Sequence, residues 1–151
     1  MEEIIAMALS AAKKAGSLGE VPIAAVLFRT ENKEIISVCA NRTEELQDAT
    51  AHAEILALKE GFKATGSRFL EDFSLFVTLE PCPMCATAIS YSRIKALYFG
   101  AYDVKGGGID HGCRVYAHQK NLYRPEVTGG LHEDECRLLL QDFFKDLRKN
   151  K

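Results

Sequence analysis

A chain of 151 residues with 47% hydrophobic and 26% charged side chains has the make-up of a single globular domain, 1–151, and not of a disordered chain. Its net charge of −2 excludes a generally cationic nucleic-acid binder, so any such partner must meet a local concentration of basic groups. No apolar run approaches the roughly 20 residues of a membrane span, and no signal-peptide pattern precedes Glu2-Glu3, which leads to the expectation of a cytoplasmic protein without membrane contact.

Ile4, Ile5, Ala8, Leu9 and Ala12 fall at helical spacing and predict a helix over 2–15, with Gly16 as its C-terminal stop. The apolar run Ile23 to Phe28 predicts a strand covered on both faces. A polar turn at Thr30-Glu31-Asn32-Lys33 then leads to a second strand, Ile35 to Ala40, in an antiparallel hairpin. The polar stretch Asn41 to Thr50 reads as a loop whose Asp48 and Thr50 are candidate N-caps for a helix over 51–62. Ser74 to Leu79 predicts a strand, Pro83 opens a helix to about Ser92, and Lys95 to Ala101 predicts another strand. A loop with Gly106-Gly107-Gly108, a short strand at Val127-Thr128 and a helix over 132–148 complete the chain. Strands alternating with helices after an opening hairpin predict an α/β fold, a three-layer α/β/α sandwich on a central mixed sheet.

The chemistry concentrates in Ala51-His52-Ala53-Glu54 and in Glu80-Pro81-Cys82-Pro83-Met84-Cys85. One imidazole, two thiolates three residues apart and a spare carboxylate are the parts of a catalytic zinc site with an open fourth position. A lone C-x-x-C also suits a redox pair or half of a closed structural zinc site. The count of five cysteines, odd and with one such pair, favours metal or redox use over a disulfide framework. Cys39, Cys113 and Cys136 read as buried small apolar residues, and His111, His118 and His132 as surface groups or supports of other side chains. His52 and Glu54 are two apart and cannot share the flank of a helix. They converge only if the helix points its N-terminal end at the metal, as the Pro83 helix would also do. Taken alone, Glu54 reads as a first-turn residue stabilising its own helix.

The H-x-E and P-C-x-x-C pair resembles the signature of the zinc nucleobase deaminases. Gly19-Glu20-Val21-Pro22-Ile23, Asn41-Arg42, Thr50 to Leu58, Val77 to Cys82, Ser92-Arg93-Ile94, Phe99-Gly100-Ala101, Asp134-Glu135-Cys136 and Asp142-Phe143-Phe144 are similar, in order, to the bacterial tRNA-specific adenosine deaminases. The resemblance implies a cytidine deaminase-like fold and a homodimer that converts the wobble adenosine of a tRNA anticodon stem-loop to inosine. It implies one Zn²⁺ per chain on His52, Cys82 and Cys85, with Glu54 moving protons. It also implies substrate contacts from Asn41 and Ala53, from Asp103 and Lys105 in the loop 103–108, and from Phe144 or its neighbour Phe143. Ala24, Ala49, Tyr91 and Tyr102 depart from the family's usual glycine, proline, histidine and arginine. The three glycines also read as a flexible turn, Phe143-Phe144 as core, and Lys145, Arg148, Lys149 and Lys151 as a solvated face. A deaminase of free guanine, cytosine or nucleosides needs only the same metal core, and a zinc-stabilised RNA-binding module would lack the chemistry.

Overall fold

The computed structural model describes residues 1–150; Lys151, one of the C-terminal basic residues, lies outside them. The elements in chain order are α1 (Glu2–Ser17), β1 (Ala24–Arg29), β2 (Ile35–Ala40), α2 (Thr43–Leu46), α3 (Ala53–Thr65), β3 (Phe73–Leu79), α4 (Pro83–Ser92), β4 (Ala96–Ala101), α5 (Val115–His118), β5 (Glu126–Thr128) and α6 (Glu133–Lys149). They build one five-stranded mixed sheet of order β2-β1-β3-β4-β5. β1 runs antiparallel to β2 and β3, while β3–β4 and β4–β5 pair parallel.

Period-two alternation divides the apolar strand residues between two cores. Ala25, Leu27, Leu75, Val77, Leu97 and Phe99 face α3 and α4. Ala24, Val26, Phe28, Phe76 and Ala101 face α1 and Cys136 of α6. Helices therefore cover both sides of the sheet, the three-layer α/β/α sandwich expected from the alternation of elements.

The directions of the strands decide where a site can form. β2, β3 and β4 all run the same way, because β1 is antiparallel to both of its neighbours. Their carboxyl ends consequently open on one edge, the usual place for a ligand crevice in open α/β sheets. Asn41 follows β2, Glu80 to Cys82 follow β3, and Tyr102 and Asp103 follow β4.

Several local expectations change. Gly16 does not stop α1, which runs to Ser17 before the chain turns at Gly19 with φ +89°. Gly16 instead lets the helix approach Pro22, whose Cβ would lie 3.3 Å from an added methyl. The stretch 41–50 is not wholly loop: the Glu20 carboxylate accepts the N–H groups of Glu44 at 3.0 Å and Glu45 at 2.8 Å and starts the single turn α2. Neither Asp48 nor Thr50 caps α3, which begins at Ala53. Asp48 accepts the Thr50 N–H and hydroxyl instead, while Asn41 Oδ1 accepts the Ala53 N–H at 3.1 Å. The turn α5 was not foreseen. Cys136 is buried as expected, but Cys39 is half-buried and Cys113 exposed.

His132, at the N-terminus of α6, joins the two outer helices of one layer. Its Nδ1 meets Glu135 Oε1 at 2.7 Å and its Nε2 meets Glu2 Oε2 at 3.0 Å. The bonds to Glu135 and then Glu2 raise its pKa from the ordinary 6.5. A pKa raised by folding stabilises the native state fully below the unfolded value and loses that contribution as pH rises through the folded one. His132→Gln is therefore expected to lower the urea midpoint at pH 6 and to match the unchanged protein at pH 9. An equal loss at both values would show that the ion pairs do not hold the helices.

Candidate active site

Residues from α3 and α4 meet at the carboxyl edge of the sheet. His52 is the extended residue just before α3 (ψ 151°), and Cys82 occupies the same position before α4 (ψ 169°). Pro83 suits the first helical position because its missing N–H would be unpaired there anyway. It starts the turn that brings Cys85 back beside Cys82. His52 Nδ1 lies 3.6 Å from Cys82 Sγ and 3.5 Å from Cys85 Sγ, and the three ligand atoms all fall within 4.8 Å of one another. A tetrahedral zinc with Zn–N of about 2.0–2.1 Å and Zn–S of about 2.3 Å holds N and S about 3.5 Å apart. The donor set and its spacing fit the ion.

The electrostatics point the same way. A hydrogen bond from Cys85, together with nearby His52, outweighs burial and holds the Cys82 thiol down at about 5. The proton shared with Cys82, and then burial, push the Cys85 thiol up. A dication beside both sulfurs is the partner that favours thiolate at each of them. The positive ends of α3 and α4 converge here and favour negative charge. No fourth protein ligand joins the group among the described residues, the arrangement of a group that could hold a metal ion with one position left open.

Glu54, 4% exposed, sits in the first turn of α3 against the Cys85 thiol and outside the ligand group. Burial lifts its carboxyl to about 6, with the Cys82 charge adding to the rise. His52 before the helix and Glu54 inside it thus converge end-on, the one geometry that residues two apart allow. Asn41 is 7% exposed, and its Oδ1 is taken by the N–H of the fully buried Ala53. These two residues are joined to each other beside His52. Tyr116 donates its hydroxyl to the Ala86 carbonyl at 2.7 Å and holds α5 against α4.

Asp103 and Lys105 lie on the loop after β4, with Lys105 exposed at its tip. The glycines of this loop are not a flexible turn. Gly107 and Gly108 are buried, and an added Cβ on Gly108 would lie 2.7 Å from Pro83 N and 2.9 Å from Cys82 C. Tyr102 packs edge-on to Phe99 and His111, with ring centroids 5.2 Å and 5.8 Å away. Phe144 is 42% exposed on α6, in the layer opposite α3 and α4, while Phe143 packs inward near Gly16.

Sequence reasoning passed over Glu80. This carboxylate is 2% exposed. It accepts N–H groups from Asp103 (3.1 Å), Ile109 (3.2 Å), Asp110 (2.9 Å) and His111 (3.0 Å), and His111 Nδ1 meets it at 2.8 Å. Burying an isolated carboxylate costs several kcal/mol, but hydrogen bonds to a charged group contribute about 1.5–3 kcal/mol each. Burial pushes the Glu80 pKa up; the His111 side chain and the backbone donors outweigh it and hold it below the usual range. The only signal in sequence was a charged residue ending an apolar strand.

An open mixed sheet with an imidazole, two thiols and an unligated carboxylate at its carboxyl edge defines a zinc-type nucleobase deaminase. The family model of the MafB19-like deaminases matches residues 1–148. The chain is 43% identical over 141 residues to the tRNA-specific adenosine deaminase of Rickettsia bellii (strain RML369-C), covering 93% of this chain and 97% of that protein. To the tRNA-specific adenosine deaminase of Bacillus subtilis (strain 168) it is 45% identical over 144 residues, covering 95% and 88%. A solved structure from work on A-to-I editing by tRNA:A34 deaminases at the wobble position aligns with a TM-score of 0.89 and 43% identity, over 93% of this chain and all of that one. The chain belongs to the tRNA-specific adenosine deaminase family.

Proposed function

We propose that residues 1–151 form one cytoplasmic deaminase domain that hydrolyses the wobble adenosine of a tRNA anticodon to inosine and ammonia. His52, Cys82 and Cys85 hold one zinc ion per chain, and two chains form the working dimer. The observation that carries this reading is the ligand spacing of 3.5 and 3.6 Å with Glu54 beside it but outside the ligand set, in a chain of this family. When bound, zinc supplies Lewis acidity and lowers the pKa of a water at its open position. Glu54 would act as the proton carrier: one proton of the attacking water goes to the purine N1, where it stays, and the proton of the new C6 hydroxyl goes to the exocyclic amine. The oxygen of water ends on C6, and the exocyclic nitrogen leaves as ammonia.

The other residues bind and orient. Asn41 keeps its carbonyl on the Ala53 N–H and turns its amide NH₂ towards the nucleoside, at the buried start of α3. Asp103 and Lys105 hold the neighbouring nucleotides, and Phe144 packs against the anticodon. An anticodon loop presents its base unpaired, which spares most of the cost of flipping it out. No helix among the described residues is long and apolar enough to cross a membrane.

Inosine formation on a zinc-loaded sample tests the reading, with an anticodon stem-loop, free adenosine, cytidine and guanine as parallel substrates. Turnover is expected on the stem-loop and not on the free compounds; equal turnover of a free base would overturn the tRNA assignment. Because net charge is −2, stem-loop affinity comes from local basic groups, so log K is expected to fall linearly with log salt. Light scattering is expected to give the mass of two chains.

A further inference from the structure

The Glu80 carboxylate has no catalytic capacity to spare. Oε1 receives the Asp103 N–H and the His111 ring, and Oε2 receives the N–H groups of Ile109, Asp110 and His111. Five donors already exceed the roughly four lone-pair sites of a carboxylate. All five belong to one loop, 103–111, and they grip both its departure from β4 and its return. The same residue is fixed from behind, since the Glu80 N–H bonds to the Ala101 carbonyl at 2.8 Å. It lies two residues before Cys82. The loop also bonds to the metal-bearing segment directly, through Gly108 N–H to Pro81 O at 2.8 Å. Gly107 passes so near Glu80 Oε2 that a side chain there would strike it. What the grip leaves outside is the tip, where Val104 is 72% exposed and Lys105 is also exposed.

We infer that Glu80 is a positioning residue that locks the loop 103–111 against the metal-bearing segment, so that its tip is preformed to hold the RNA around the target base. The inference rests on the stem-loop being the substrate. It assigns Glu80 to substrate capture and not to chemistry: a loosened loop costs ordering on binding, while a base that has bound still meets an intact metal group and Glu54.

Glu80→Gln places an amide NH₂ among N–H donors and should release the loop. On the zinc-loaded variant, peptides covering 103–111 are expected to exchange their amide hydrogens faster. KM for the stem-loop is expected to rise by roughly 10–100-fold, the scale of losing one hydrogen bond to a charged group. Zinc content and kcat should stay near those of the unchanged protein. Gly107→Ala presses on the same carboxylate from the loop side and should reproduce the split if Glu80→Gln folds poorly. His111→Ala removes one donor from the accessible end and should give the smaller effect. A fall in kcat at constant KM, a loss of zinc, or unchanged exchange in the loop would each overturn the inference. Hydrogen exchange is read without substrate, so it decides the tether even if the unchanged protein fails to convert the stem-loop, a failure that would count against the proposed function alone.

Discussion

Glu54→Gln is expected to keep its zinc and its stem-loop affinity and to lose turnover by at least the roughly 10²–10⁴-fold of a missing general acid–base group. The substitution conserves size and polarity at a site that is 4% exposed, so packing is hardly disturbed. Glu54 lies outside the ligand group, so metal should be retained. The loss can exceed that range because one carboxylate serves both attack and departure. Were Glu54 only a favourable charge at a helix N-terminus, its removal would cost about 0.3–1 kcal/mol of stability and leave the rate alone. Inosine formation and zinc measured on one purified sample decide between these roles. Full activity with full metal would remove Glu54 from the mechanism.

Cys82→Ala and Cys85→Ala are each expected to abolish zinc binding, and with it all deamination. Either change leaves two of the three candidate ligands. A ligand that binds only the folded state raises its stability by mass action. Added zinc should therefore raise the Tm of the unchanged protein and leave that of either variant where it is. Cys113→Ala is the control, because that thiol is exposed and outside the group. Elemental analysis should find one zinc per chain in the control and none in the other two. A zinc-free Cys85→Ala protein that still makes inosine would end the metal assignment.

The sheet was legible because its middle strands are nearly unbroken apolar runs, Ile23 to Phe28 and Ser74 to Leu79, which no solvated element can carry. The grouping of His52, Cys82 and Cys85 was legible because C-x-x-C and H-x-E are local patterns, and only with that motif did helix geometry call for an end-on approach of His52 and Glu54. The turn α2 was not, since it depends on a Glu20 carboxylate 24 and 25 positions away from the amides it holds. The Glu80 tether escaped for the same reason, with partners 23 to 31 residues distant. A carboxylate bonded to distant backbone N–H groups leaves no mark in the partners' residue types. Sequence left the glycines of 106–108 open between a flexible turn and a functional loop, because close approach and flexibility call for the same residue. Here Gly108 sits against the Cys82–Pro83 backbone.

The way the loop 103–111 is anchored bears on how its specificity can change over time. Four of the five bonds to Glu80 come from backbone N–H groups, which every residue except proline supplies. The anchor therefore reads the path of the chain and is indifferent to most side chains along it. At the exposed tip, Val104 and Lys105 can be exchanged without loosening the loop or disturbing the metal group. A lineage, or a designer, can vary the residues that the proposed RNA contact would use while the proposed reaction centre stays as it is.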